Sequence, residues 1–416
     1  MMLRKRVQSF VLLAMCVWPA VAQRTLMSPY SRYGYGVLES ASMGGARAMG
    51  GLGYGMRSNL QINQKNPASY TAIDSLTFMM ELGVSGSVQN LTDGARSFNQ
   101  FNGSLDYVAF QLPLAKWAAM SFGVSPYSSV GYEYSTSGDY PNYRQNDSVN
   151  IVQTYAGDGG LSQVYLGVSF DILDRVAIGA NAHYMFGKIT HTREVTFPDE
   201  TYYKTTDQTT YFNVNGFTCD LGIQYHQPIR EKDMFALGFT YSFKLPLKVS
   251  GQTSTFTNDT LYTDPVGDCD YPMTIAGGAS YHWNERALVG VDVSWQQFSN
   301  AQFLGETNAL YDRLGIALGG EYVHKPNSKK YYENMRFRLG ANYANSYVSL
   351  GGNRYREYAV MMGIGFPIPN SRTLLNFLFE YGRRDTKAQG DLSEQYFKFG
   401  LGVSLNERWF VKRKIK

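Results

Sequence analysis

Charge is scarce in this 416-residue sequence: 17% of residues are Asp, Glu, Lys or Arg, 5 are His and 3 are Cys. Beyond the first twenty or so positions there is no apolar run approaching the roughly 20 residues that a membrane helix requires, so helical spans are excluded. No Pro/Ser-rich linker, low-complexity tract or composition break divides the chain, as it would in a soluble protein built from units of roughly 100 to 200 residues. No cluster of Lys and Arg offers a nucleic-acid footprint. Without Arg4, Lys5 and Arg6 the formal charge falls from +4 to about +1, and the basic run Lys412 to Lys416 is a short tail. The histidines at 183, 191, 226, 282 and 324 are too scattered for a metal-ligand pattern. Asp264, Asp268 and Asp270 read as solvated loop charge. Cys219 is expected to point outward from a strand and Cys269 to sit in a loop, so neither a disulfide nor a metal pair is implied. No cofactor is expected.

What is present is aromatic and glycine-rich: 32 Tyr, 24 Phe and 42 Gly. The first residues have the form of a secretion leader, with the basic start Arg4-Lys5-Arg6, an apolar stretch from Phe10 to Trp18 and a small-residue cleavage pattern Ala20-Val21-Ala22, placing the mature start near Gln23. That stretch is too short for a membrane anchor, and Met15 before Cys16 does not suit a lipoprotein. Downstream, apolar and small or polar residues alternate repeatedly. In Ala287 to Gln296 one face carries Ala287, Val289, Val291, Val293 and Trp295, the other Leu288, Gly290, Asp292, Ser294 and Gln296. Met335 to Ala344 and Phe397 to Asn406 repeat the pattern. Candidate strands fall near 75–89, 103–113, 117–131, 160–172, 175–188, 211–226, 233–246, 270–283, 286–298, 312–324, 334–346, 354–366, 372–384 and 394–405. Tight connections (Pro113 to Trp117, Leu173-Asp174, Gln227 to Lys232, Asn284-Glu285, Pro367 to Ser371) contrast with long ones at about 132–159, 189–210 and 247–269. An even set of alternating strands with short turns on one side describes an all-β, antiparallel, up-and-down transmembrane barrel of about fourteen strands in the outer membrane of a Gram-negative cell. Both chain ends are then expected in the periplasm. Trp117, Trp283, Trp295, Phe298, Tyr331, Tyr332 and Tyr381 suit interfacial girdles. A soluble sandwich or propeller would set charged residues opposite the apolar face, whereas here that face is rich in Gly, Ala and Ser.

Residues 23–72 break the pattern with glycines at 34, 36, 44, 45, 50, 51, 53 and 55, interspersed with Leu38, Met43, Met49, Leu52, Met56, Leu60 and Ile62. That composition favours a packed luminal plug over a solvated tail, giving a leader at 1–22, a plug at 23–72 and a barrel at 73–416. Gly51-Leu52-Gly53-Tyr54-Gly55 looks like a phosphate cradle, but its spacing and context are wrong for one. Ser28-Pro29-Tyr30-Ser31-Arg32-Tyr33-Gly34, Ala48-Met49-Gly50-Gly51, Asn66-Pro67-Ala68 and the strand that follows resemble the FadL-like outer-membrane transporters of long-chain fatty acids and aromatic hydrocarbons. The resemblance implies a monomeric barrel blocked by its plug, with Asn66, Pro67 and Ala68 on the family's plug motif. It further implies passive passage of a hydrophobic small molecule through apolar pockets, leaving sideways where the third strand kinks. Gly123 and Pro126 fall on that strand, and glycine and proline weaken ladder pairing, so they are the lateral-gap candidates. The sequence departs from such barrels in running past Trp409-Phe410 to Lys416.

Lateral diffusion of an apolar solute between water, protein and outer-membrane lipid or lipopolysaccharide requires no catalyst; its driving force is about 0.8 kcal/mol per buried methylene. No catalytic residues are therefore expected. An outer-membrane hydrolase is the competing class, but Ser280 and His282, on one strand face, lack an orienting carboxylate and lie beyond hydrogen-bond reach. FadL-like barrels also act as scaffold or shuttle subunits in protein secretion or surface attachment, their long outer loops binding a protein partner. An apolar tunnel ending at the third strand is the mark of the transporter, and co-purifying chains are the mark of the scaffold.

Overall fold

The computed structural model describes residues 28–93, 96–142, 147–198, 204–257, 260–326, 328–350, 352–369, 371–386 and 393–408. The expected leader and the tail from Trp409 lie outside the described residues. Eighteen strands form one sheet: β1 (Val37–Leu38), β2 (Thr77–Asp93), β3 (Arg96–Ala115), β4 (Ala118–Asn142), β5 (Asp147–Leu173), β6 (Val176–Thr196), β7 (Thr206–Arg230), β8 (Asp233–Ser242), β9 (Leu245–Thr257), β10 (Thr260–Pro265), β11 (Cys269–Tyr271), β12 (Met273–Trp283), β13 (Ala287–Gln297), β14 (Arg313–Val323), β15 (Arg336–Leu350), β16 (Asn353–Pro367), β17 (Leu374–Asp385) and β18 (Ser393–Arg408). β2 to β8 and β12 to β18 make the wall. Each pairs antiparallel with its chain neighbour, β8 pairs with β12, and β18 pairs with β2, so fourteen strands close a ring.

Alternation sorts side chains as the sequence demands. Val289, Val291 and Val293 stand exposed outside while Leu288, Gly290 and Asp292 are buried inside, and Phe397, Phe399 and Leu401 continue the outer apolar belt on β18. An apolar exterior with a closed ladder is the arrangement that lets backbone cross hydrocarbon without unpaired polar groups. One rim carries tight turns; at Asn284-Glu285 both φ values are positive, +51° and +56°, matching the two-residue hairpin turn that follows strand twist.

The other rim differs from expectation. The segments expected as long loops are largely strand: β4, β5 and β7 run 25, 27 and 25 residues, against the roughly 9–11 that a bilayer needs. The expected strand 233–246 ends at Ser242, and β9 pairs instead with the upper part of β7 and forms a hairpin with β10. Cys269 is on short β11 and fully buried, not in an open loop; burial and the carboxylates of Asp270 and Asp268 push its thiol up, while the Leu304 N–H and the Tyr35 hydroxyl oppose this. Both described cysteines are free. Phe298 belongs to the interior rather than to a lipid girdle, whereas Trp117, Trp283, Tyr331, Tyr332 and Tyr381 are exposed.

Candidate functional site

The small inward residues do not leave an open bore. Residues 28–73 thread the ring and touch it on many sides: Met49 and Gly50 lie against Gly319 and Gly340, Tyr54 against Gly238, Gly55 against Gly278, and Pro67 against Gly179 and Gly222. The stretch that resembled a phosphate cradle does hold an anion, but one belonging to the protein. Asp292 of β13 accepts from the backbone N–H of Gly53, Tyr54 and Gly55 at 2.7, 3.0 and 3.4 Å. Arg47 pairs with Asp106 and Arg57 with Asp171. The Glu81 carboxylate accepts from the Ile62 N–H at 3.1 Å. Burying these N–H groups and charges is made tolerable by the partners they meet.

Asn66, Pro67 and Ala68 sit at the base of this arrangement, all buried. The Asn66 carboxamide oxygen accepts from Ala68 N–H at 3.1 Å, capping the short 3-10 turn Pro67–Ala72, while its NH2 donates to the carbonyls of Tyr54 and, at 3.3 Å, Ile223. The motif therefore links two parts of the segment to β7.

Gly123 and Pro126 lie together on β4, where the wall comes apart. The β3–β4 ladder runs from Ala115–Ala118 only as far as Val108–Val124. Beyond it β3 pairs with β2 alone, and β4 with β5 and with β1. The β4–β5 register shifts between Pro126 and Ser128, and β5 answers with Gly159 and Gly160 at φ +119° and +141°; a Cβ on Gly160 would meet the Ser128 carbonyl oxygen at 2.4 Å. Into the gap comes the N-terminal segment. Val37 and Leu38 pair with Ser129 and Ser128, Glu39 N–H donates to Tyr127 O at 2.9 Å, and Ser28 N–H donates to Gly131 O at 2.7 Å. Gly36, at φ +91°, passes so close that a Cβ would lie 2.5 Å from the Ser129 oxygen. Gly123 and Pro126 stand out in the sequence as ladder-weakening residues, whereas β1, Gly159 and Gly160 do not, their only signal being the Gly-Gly dipeptide.

Towards the extended rim the lumen is closed by apolar packing. Tyr30, Tyr35, Tyr132, Phe212, Phe298, Tyr347 and Tyr355 form one buried cluster; Tyr30 meets Tyr355, and Phe298 meets Tyr347, at ring-centre distances of 4.5 Å. Below it lies a chamber of about 310 Å³ reaching Leu38, Pro126 and Tyr127 at the wall break. Its lining mixes charged groups with apolar ones such as Leu38, Tyr54, Tyr127 and Met361. Arg47, Lys65, Arg313, Arg384 and Lys398 are matched in number by Glu39, Asp220, Asp292, Glu357 and Glu380. Arg384 pairs with Glu394 and Glu357, Arg313 with Glu357, and Lys398 with Glu39 and Asp106. Ser280 donates to the Gly55 carbonyl at 2.8 Å, so its hydroxyl holds the segment in place. Among the described residues no group of His, Cys, Asp and Glu is placed to hold a metal ion.

This architecture is that of the FadL-like barrels. The fold matches a FadL homologue of Pseudomonas aeruginosa (TM-score 0.58, 13% identity, 89% of this chain and 98% of that one). It matches the toluene transporters TbuX of Ralstonia pickettii (0.57, 14%, 89% and 99%) and TodX of Pseudomonas putida (0.58, 15%, 91% and 99%) equally well. These neighbours are transport channels rather than enzymes. No curated relative matches the chain. The BamG family model matches residues 2–416, and the chain belongs to the BamG family.

Proposed function

We propose that the protein is an outer-membrane scaffold barrel that presents its extended rim to a protein partner. The observation that carries this is the closing of the bore by the aromatic cluster, above a chamber bordered by paired charges. A hydrocarbon crossing such a chamber gains less from apolar transfer than it would in an apolar tunnel and strips water from ionic groups. Residues 23–72 act as a luminal plug, following a leader at 1–22. Short turns face the periplasm and the extended rim faces outside. There, Phe256, Leu261 and Tyr262 stand exposed on the β9–β10 hairpin. Exposed apolar groups on a polar rim suit a protein contact. Mild detergent extraction of the tagged chain followed by native mass spectrometry tests this. The expected result is a complex of fixed stoichiometry that loses its partner when residues 252–265 are deleted; a lone chain under the same conditions overturns it.

The β3–β4 break favours a second reading, passive uptake of a hydrophobic small molecule such as a long-chain fatty acid, with exit into lipid beside Gly123 and Pro126. That the fold is shared with toluene channels supports it. Extraction and mass spectrometry of co-purified small molecules tests it: a stoichiometric apolar ligand is its signature, and its absence together with normal uptake of labelled palmitate and toluene in cells lacking the protein removes it.

A further inference from the structure

We infer that the bare edge of β3 above the wall break is a docking site for an extended, amphipathic β-strand of a partner protein lying in the same membrane. The β3–β4 ladder stops at Val108–Val124, and among the described residues no strand pairs with β3 on that side beyond it. β1 does not fill the place, because Val37 and Leu38 pair with Ser129 and Ser128 of β4. Asp93 and Arg96, two residues apart in the chain's turn, close the β2–β3 hairpin as a bonded pair. Ladder alternation then aims the backbone N–H and C=O of Ser97, Asn99, Phe101, Gly103 and Leu105 away from β2 and into the break. That side is open: Phe101 is 69% exposed, and a Cβ added to Gly103 would meet nothing within 4 Å.

Register places part of this edge at the height of the lipid. Leu105, Gly103 and Phe101 stand in rows with Val84, Gly86 and Val88 of β2 and, beyond them, with Leu401, Phe399 and Phe397 of the outer apolar belt on β18. An open sheet edge facing hydrocarbon leaves N–H and C=O groups without partners, which membrane barrels do not tolerate. Lipid tails and apolar solutes bring no hydrogen bonds, so neither answers these groups, whereas an extended backbone answers all of them. Ser97 to Leu105 spans about 27 Å at roughly 3.4 Å per residue, near the length of the roughly 9–11 residues that cross a bilayer as a strand. The two faces set the partner's pattern. Phe101 continues the apolar exterior, while Asn102 is buried on the lumen side, where it donates to Gln89 Oε1 at 3.3 Å. A strand added alongside therefore carries apolar residues at one set of alternate positions and small or polar ones at the other. This contact is separate from the one at the β9–β10 hairpin, and losing either leaves the other standing.

The test uses the full mature chain in lipid nanodiscs, with amide hydrogen exchange read by NMR. The probe is an end-capped peptide of alternating Val and Ser, about ten residues long. Without it, the amides of Phe101, Gly103 and Leu105 are expected to exchange at least about tenfold faster than those of Asn102 and Ser104, which face β2. With the peptide at about 1 mM, those three should slow by at least about tenfold, the worth of one hydrogen bond. Gly103→Pro removes a donor facing the break and spares the β2 ladder; at an unchanged melting temperature it should weaken the peptide's effect about tenfold. Gly103→Ala should leave the effect intact. N-methylating the peptide backbone needs no variant and should abolish protection, and deleting residues 252–265 should not alter the pattern. The inference is overturned if the three amides are already as slow as their neighbours, or if the peptide gives no protection. It is equally overturned if a peptide with its Val and Ser in two blocks protects as well, or if Gly103→Pro and N-methylation make no difference. Protection that grows with the concentration of the chain alone also overturns it, because a second copy then covers the edge.

Discussion

The two halves of the lumen solve the same packing problem with opposite chemistry. Towards the extended rim, aromatic side chains from the N-terminal segment and the wall interlock into an apolar core like that of a soluble domain. Towards the short turns the segment is fixed by the Asp292 cradle, by the Asn66 carboxamide and by ion pairs such as Arg47–Asp106. The contrast follows from what each half borders. The lower wall must be apolar outside, so its inward positions are free to be polar, and each polar group then requires a partner, which the segment supplies. The upper strands outrun the bilayer and must form a core of their own inside. A barrel of this kind therefore has two interiors, and only one of them resembles a conventional hydrophobic core.

Three substitutions sharpen that contrast, beginning with the largest effect. Phe212→Ala empties a fully buried site in the upper cluster, with an expected loss of about 3–5 kcal/mol; a lowered urea midpoint and tryptic cleavage confined to the extended rim would show it. Val291 and Asp292 are adjacent in sequence and face opposite ways. Val291→Arg is expected to cost about 2–4 kcal/mol near mid-bilayer, measured as reduced folding into lipid vesicles, and a negligible cost would mean that this face does not meet hydrocarbon. Asp292→Asn keeps one acceptor oxygen but turns an NH2 towards the N–H groups of Gly53 to Gly55. About 1–3 kcal/mol should be lost, with faster amide exchange confined to residues 46–66.

Residues 287–296 show why the wall was legible in the sequence and its contents were not. Period-two alternation is local, so Val289, Val291 and Val293 announce themselves within one strand. The partner of Asp292 lies more than two hundred residues away, in a glycine stretch with no spacing rule to connect them. The long upper strands were misread for a different reason. Segments such as Thr205-Thr206-Asp207-Gln208-Thr209-Thr210 lie beyond the bilayer and have no apolar alternation, and only their threonines carry a strand signal. At the candidate site, Gly123 and Pro126 were visible as ladder-weakening residues, but β1, which lies along the freed edge, is a two-residue strand that no periodicity can reveal.

The smallest effect probes the boundary between the two halves. Tyr347 of β15 is buried, stacks on Phe298 and donates its hydroxyl to the Gly36 carbonyl, one residue before β1. Tyr347→Phe keeps the ring and removes the donor, leaving a carbonyl unpaired at a glycine whose backbone is already pressed against Ser129. The expected loss is about 1 kcal/mol, too little to open the aromatic cluster. Its location is what informs: amide exchange should quicken at Val37, Leu38 and Glu39, where β1 meets β4, and stay unchanged at Gly53 to Gly55. Because β1 occupies the freed edge of β4, that pattern would show the upper core holding the wall break shut from across the ring. Uniform quickening through residues 28–73 would instead mean that the segment moves as one body, and that the division into two interiors has no mechanical meaning.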